Sequence, residues 1–166
     1  LSRPDSLYTQ MGFSQLRAVS PTGRCAPFDH KADGLVVGEG CGIVVLKRLD
    51  HALRDGEHIH AVIRGIGLSN DIEGSLMQPA SEGQLRAMRA AYEQAGWRPH
   101  DVDLIECHGT GTPTGDAVEF NSLTQLWRDV TESRISNLKS QISDIESQIG
   151  RCVIGSVKSN VGHLLT

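Results

Sequence analysis

Two short islands in this chain each end an apolar run with a histidine. The first reads Glu106-Cys107-His108-Gly109-Thr110-Gly111-Thr112-Pro113, and the second Gly155-Ser156-Val157-Lys158-Ser159-Asn160-Val161-Gly162-His163. Imidazole can give or take a proton near neutral pH. The surrounding Gly, Ser and Thr let backbone approach a ligand and add hydroxyl donors. His108, His163 and Lys158 together suit proton and oxyanion chemistry on a carbonyl substrate. A strand end followed by a turn can aim Lys158 and His163 into one cleft.

No nucleophile is evident beside them. A reactive cysteine needs access and a lowered pKa. Cys107 adjoins His108, but neighbours on a strand point to opposite faces. Cys41 and Cys152 lie in or beside apolar runs, which suggests core packing. Cys25 sits in a polar loop with no paired base in view. The four are widely spaced and read as reduced thiols of a cytoplasmic protein.

Other site chemistries fit less well. A phosphate loop ends in Lys followed by Ser or Thr, whereas here Gly115 precedes Asp116, whose carboxylate repels phosphate. His58-Ile59-His60 could place two imidazoles on one strand face, but no third ligand lies at a zinc spacing. No metal site and no directly bound cofactor is expected. His30, His51 and His100 read as structural or solvated.

The elements that must position these groups follow from periodicity. Residues 1–20 fit a helix around Tyr8, Met11, Phe13 and Leu16, ended by Pro21-Thr22-Gly23. Gly34–Leu46 and His60–Leu68 read as strands, and Asp50–Asp55 as a short helix stopped by Gly56. Ser81 and Gln84 form a capping-box pattern. Leu85, Met88, Tyr92 and Ala95 then share one helical stripe, with Gly96 at the left-handed cap position. Val102–Cys107 and Val153–Val157 read as strands. A second capping-box pattern, Asp116 to Glu119, opens a helix carrying Phe120, Leu123, Leu126 and Trp127. Helix alternating with strand implies an α/β fold. Between 130 and 150, Ile135, Leu138, Ile142, Ile145 and Ile149 step by threes and fours, the seam of an amphipathic helix.

Length and composition bound the rest. The 166 residues suit one domain, with 39% hydrophobic and 22% charged residues. A net charge of -4 gives no footprint for nucleic acid and no polybasic membrane patch. No apolar run approaches the ~20 residues of a membrane span. The polar start, without Met, suggests a piece of a longer chain.

The run His108-Gly109-Thr110-Gly111-Thr112, then Gly115-Asp116 with Glu119, then Gly155 to His163, resembles the C-terminal motifs of β-ketoacyl synthases. Cys25-Ala26-Pro27-Phe28-Asp29, Asp33-Gly34 and Gly38-Glu39-Gly40 resemble that family's middle region. The likeness is strongest to ketosynthase domains of type I polyketide synthases. It covers about Leu1–Trp127 and Arg151–Thr166.

The resemblance implies a thiolase-like fold of layered α-β-α-β-α type, of which this chain holds part. Residues 1–70 would end the N-terminal half. Residues 71–166 would begin the C-terminal half, with 130–150 an atypical amphipathic insertion. It implies decarboxylative Claisen condensation of acyl and malonyl units carried on the phosphopantetheine of an acyl carrier protein, in a homodimer. His108 and His163 would assist decarboxylation and stabilise the oxyanion. Lys158 would set the electrostatics of that pair, and Thr110 and Thr112 would contact the phosphopantetheine arm. Asp116 and Glu119 would be capping and positioning groups, not acids. The family's nucleophilic cysteine belongs upstream of the region matching Leu1, so two of three catalytic groups are here. A condensation-incompetent scaffold or chain-length partner is the alternative. A thiolase or a CoA-dependent synthase fits less well, since both His108 and His163 are kept.

Overall fold

The structure, a computed structural model, describes residues 7–74, 79–137 and 152–164. Helix α1 spans Leu7–Gln15, α2 Leu49–Arg54 and α3 Ser81–Ala95. A single 3-10 turn, Pro99–Asp101, leads into strand β1, Leu104–Glu106. Helix α4 runs Pro113–Asn137, followed by strand β2, Val153–Gly155, and the short α5, Lys158–Val161.

Strands β1 and β2 are parallel, in the register Leu104↔Val153, Ile105↔Ile154 and Glu106↔Gly155. A parallel pair needs a long crossover, and α4 supplies it. Helix α3 packs on α4 through an edge-to-face contact of Tyr92 with Trp127 and an Arg89–Asp129 ion pair. Leu85, Leu123 and Leu126 are buried there. Left-handed Gly96 closes α3 as expected, with its amide and that of Trp97 returning to Glu93 and Tyr92.

Several expectations are corrected. Helix α1 ends at Gln15, because Arg17 takes a positive φ and turns the chain so that Val19 can bridge Leu35. The runs expected as strands over 34–46 and 60–68 form no ladder among the described residues. The bridges found there among those residues are isolated ones, Val19 with Leu35 and Val37 with His163. A strand is made by its neighbour's hydrogen bonds, and β-branched composition alone does not supply a neighbour. Ile43, Val44, Val45 and Leu46 are 89%, 80%, 93% and 73% exposed.

The Ser81–Gln84 capping box does not form. Ala80 is the N-cap, and its amide donates to Asp71 at 2.9 Å. Of the apolar residues α4 carries, Phe120 is exposed, and Cys41, expected in core packing, is exposed too. Helix α4 begins at Pro113, a residue whose missing N–H costs nothing at that position. It also runs unbroken past residue 130 to Asn137, where an insertion was expected to begin. The remaining apolar positions of that seam, Leu138, Ile142, Ile145 and Ile149, lie outside the described residues.

Candidate active site

Because β1 and β2 are parallel neighbours, both leave the sheet at the same end. β1 delivers the His108 loop and β2 the Lys158 turn, the usual place for a site in an α/β sheet. The Cys107 amide donates to the Gly155 carbonyl at 2.8 Å, and the Ser156 hydroxyl to the His108 carbonyl at 3.4 Å.

Two carboxylates of α4 clamp the first loop. Glu119 accepts the His108 amide at 2.7 Å on one oxygen and the Gly109 amide at 2.8 Å on the other. Asp116 accepts the Thr110 and Gly111 amides at 3.0 and 3.2 Å. Its second oxygen takes the Phe28 amide at 2.8 Å. Every amide from His108 to Gly111 is thereby satisfied by charge, and Asp116 is buried. These two residues do not open the helix. They position the loop, and the first helical bond runs from the Asp116 amide to the Thr112 carbonyl.

Phe28 has φ 58, uncommon for a bulky side chain. Its ring lies against Gly109, where an added methyl would come 3.0 Å from the ring and 2.7 Å from the Ser156 Cβ. Gly109 itself has φ 35. Phe28 stands in the sequence only as part of the Cys25–Asp29 run, with no role of its own.

The second arm is fixed at both ends. At its entry the Val157 amide donates to Glu106 at 2.7 Å. At its exit the His163 amide donates to the Val36 carbonyl at 2.7 Å, and the Gly38 amide to the His163 carbonyl at 2.9 Å. Gly38 and Gly162 let these two segments cross backbone to backbone.

The two arms bring the expected histidines together. The His108 and His163 rings stand edge to face, with 5.3 Å between centroids. Burial, then the neighbouring His108, then Lys158 hold the His163 pKa below its ordinary value. His163 is therefore biased to neutral imidazole, and His108 is exposed. The Thr110 and Thr112 hydroxyls lie 2.8 Å apart, Thr110 buried and Thr112 half-buried.

The family model described as beta-ketoacyl synthase, C-terminal domain, matches residues 60–152, and that of the N-terminal domain matches residues 6–52. The chain belongs to the β-ketoacyl synthase family. It is 40% identical over 153 residues to a mycocerosic acid synthase-like polyketide synthase of Mycolicibacterium smegmatis, covering 92% of this chain and 6% of that protein. It is 39% identical over 155 residues to polyketide synthase PksN of Bacillus subtilis, covering 93% of this chain and 3% of that protein. It therefore spans a small part of these relatives' length.

Among solved structures, the PfaC keto synthase-chain length factor matches with 41% identity and a TM-score of 0.81, over 98% of this chain and 16% of that one. A type II polyketide ketosynthase, AntDE, solved with its acyl-carrier protein and bound to the hexaketide, matches with 25% identity and a TM-score of 0.79. It covers 98% of this chain and 37% of that one. The fold of this ketosynthase segment is thus thiolase-like and partial, an α/β piece with a small parallel sheet.

The cysteines of this ketosynthase segment are poor thiolates where their titration is perturbed. Burial, with Glu119 next, pushes Cys107 up to about 11. Burial also raises Cys25 and Cys152. Cys25 is half-buried, its thiol 3.8 Å from the Thr110 carbonyl. His30 and His51 sit beside Asp29 and Asp50, and His100 is edge-on to Trp127. His58 and His60 meet at 4.4 Å between centroids, and no third ligand joins them among the described residues. No helix among the described residues is long and apolar enough to cross a membrane.

Proposed function

We propose that this chain is the decarboxylating arm of a ketosynthase that performs Claisen condensation on carrier-protein-bound units. The parent, on this reading, supplies a cysteine from outside these residues. That thiol takes the acyl group from one carrier protein and releases the carrier's phosphopantetheine thiol. Malonyl on a second carrier then loses CO2, and the electron pair of the broken C–C bond becomes an enolate. The enolate carbon attacks the cysteine thioester and expels the cysteine thiolate, which regains a proton.

His108 and His163 each donate one N–H to the thioester oxygen as its charge develops, a role that neutral imidazole fills in fixed geometry. Burial, then His108, then the Lys158 charge keep His163 neutral. Thr112, and Thr110 behind it, face the phosphopantetheine arm. Residues 1–70 close the first half of the fold and residues 71–166 open the second. The acyl carrier protein is the partner, in a cytoplasmic homodimer.

The observation that carries this reading is the edge-to-face His108–His163 pair at the shared end of two parallel strands. It favours a condensing enzyme over a chain-length partner without catalysis. The test is His108→Ala and His163→Ala in the intact parent synthase, with His51→Ala as control, following CO2 release and β-ketoacyl product. Each site variant should lose about 10²–10³ in rate, the worth of one oxyanion donor. Equal rates in all three variants would place the chemistry elsewhere.

A further inference from the structure

Glu106 has no part in the chemistry just described, yet it points a carboxylate into the start of the lysine turn. The β1–β2 ladder ends at the pair Glu106 and Gly155. Beyond that pair β1 turns away at His108, so β2 runs out of backbone partners. The amides of Val157 and Lys158 open the short α5 and have no intrahelical acceptor. Each finds one. The Lys158 amide meets the Ser156 hydroxyl at 3.4 Å, and the Val157 amide meets Glu106 at 2.7 Å. From Ser159 onward the turn closes on itself, with the Ser159 amide on the Ser156 carbonyl and the Asn160 amide on the Val157 carbonyl. A side chain of β1 thus replaces the main-chain acceptor that β1 no longer offers.

We infer that Glu106 is a positioning residue for Lys158 and His163, acting through its hydrogen bond to the Val157 amide. Glu106 lies two residues before His108, so one strand end sets both arms. Its main chain launches the His108 loop, while its side chain holds the entry of the turn that carries Lys158 and His163. The far end of that turn is held separately by Val36 and Gly38. Loss of the Glu106 acceptor frees the entry alone. Lys158, the first residue of α5, lies next to the freed amide and moves most. The acceptor matters, not the charge, so a neutral amide oxygen serves.

This inference rests on the condensing role proposed above, and its test separates the two. Glu106→Ala and Glu106→Gln are made in the intact parent synthase, beside His108→Ala. Three quantities are followed: hydrogen exchange at the Val157 amide, acyl loading onto the parent's cysteine, and decarboxylative condensation. Glu106→Ala should speed Val157 exchange and slow condensation by roughly tenfold to 10²-fold, the scale of a displaced catalytic group, with loading retained. Glu106→Gln should restore slow exchange and most of the rate. Unchanged exchange in Glu106→Ala, a Gln variant as impaired as Ala, or parallel loss of loading would each overturn the positioning role. If His108→Ala fails to slow condensation while Val157 exchange responds as expected, the functional reading falls and the positioning stands.

Discussion

The rings of His108 and His163 meet edge to face with 5.3 Å between centroids, the first exposed and the second half-buried. Two imidazolium ions so close would repel, and burial already disfavours charge on His163. Its folded pKa lies below the unfolded value of about 6.5. Between those values the unfolded chain holds more protons, so stability rises with pH across that window and is level above it. Acid should weaken the parent domain, with the loss starting near pH ~6.5 and complete below the folded pKa. Urea melts of the parent and of His163→Gln across this range check the point. The variant should lose less on acidification, and an identical acid response would remove His163 as the cause.

Asp116 holds three amides that have no other acceptor in view. Asp116→Ala leaves the buried Thr110 and Gly111 N–H groups and the half-buried Phe28 N–H without it. An unsatisfied buried donor costs about 1–3 kcal/mol, so the parent domain should lose about 3 kcal/mol or more. Glu119→Ala removes two amide contacts at a half-buried carboxylate and should cost less. Chemical denaturation of both variants gives the order directly. The reverse order would mean that Glu119 is the main anchor of the loop.

Much of this arrangement was legible in the chain. The stripe Leu85, Met88, Tyr92 and Ala95 with Gly96 after it marks α3, since helix period and left-handed cap agree. The two histidine islands follow short apolar runs that do become β1 and β2, and the pair converges. What failed is what depends on distant partners. Ser81 and Gln84 match a capping box, but Asp71 supplies the acceptor to Ala80. Asp116 and Glu119 match another, but their carboxylates turn back to the loop. Gly34–Leu46 has the composition of a strand, and composition describes a face that fits a sheet, not the sheet. Phe28 reaches Asp116 and Gly109 only after folding, and no local pattern encodes that.

The crossing of Val36–Gly38 over Val161–His163 depends on a missing side chain. A methyl on Gly38 would overlap the Val161 carbonyl oxygen and lie 3.0 Å from Gly162 backbone. Backbone cannot swing aside as a flexible side chain would. Gly38→Ala should therefore pry His163 from Val36, at about 1–3 kcal/mol of stability. It should also shift the His163 ring resonances in the parent and slow condensation. Unchanged stability with an unmoved His163 resonance would show that the crossing tolerates a methyl group.

The apolar run Ile43-Val44-Val45-Leu46 is exposed on both faces, in a segment with no strand beside it among the described residues. Four consecutive apolar side chains whose backbone has no ladder partner among the described residues are a template for association. The relatives are far longer than this chain, and in the parent other segments should cover that run. Expressed alone, the 166-residue chain should bind a hydrophobic dye and self-associate as its concentration rises. Charge placed in the run, as Val44→Lys with Val45→Glu, should suppress that association in the isolated chain. The same pair in the parent should instead destabilise it, because an unpaired buried ion is costly. Light scattering and dye binding of the isolated chain, and a thermal melt of the parent, separate the two effects. A monodisperse isolated chain that binds no dye would mean that the run is shielded in solution.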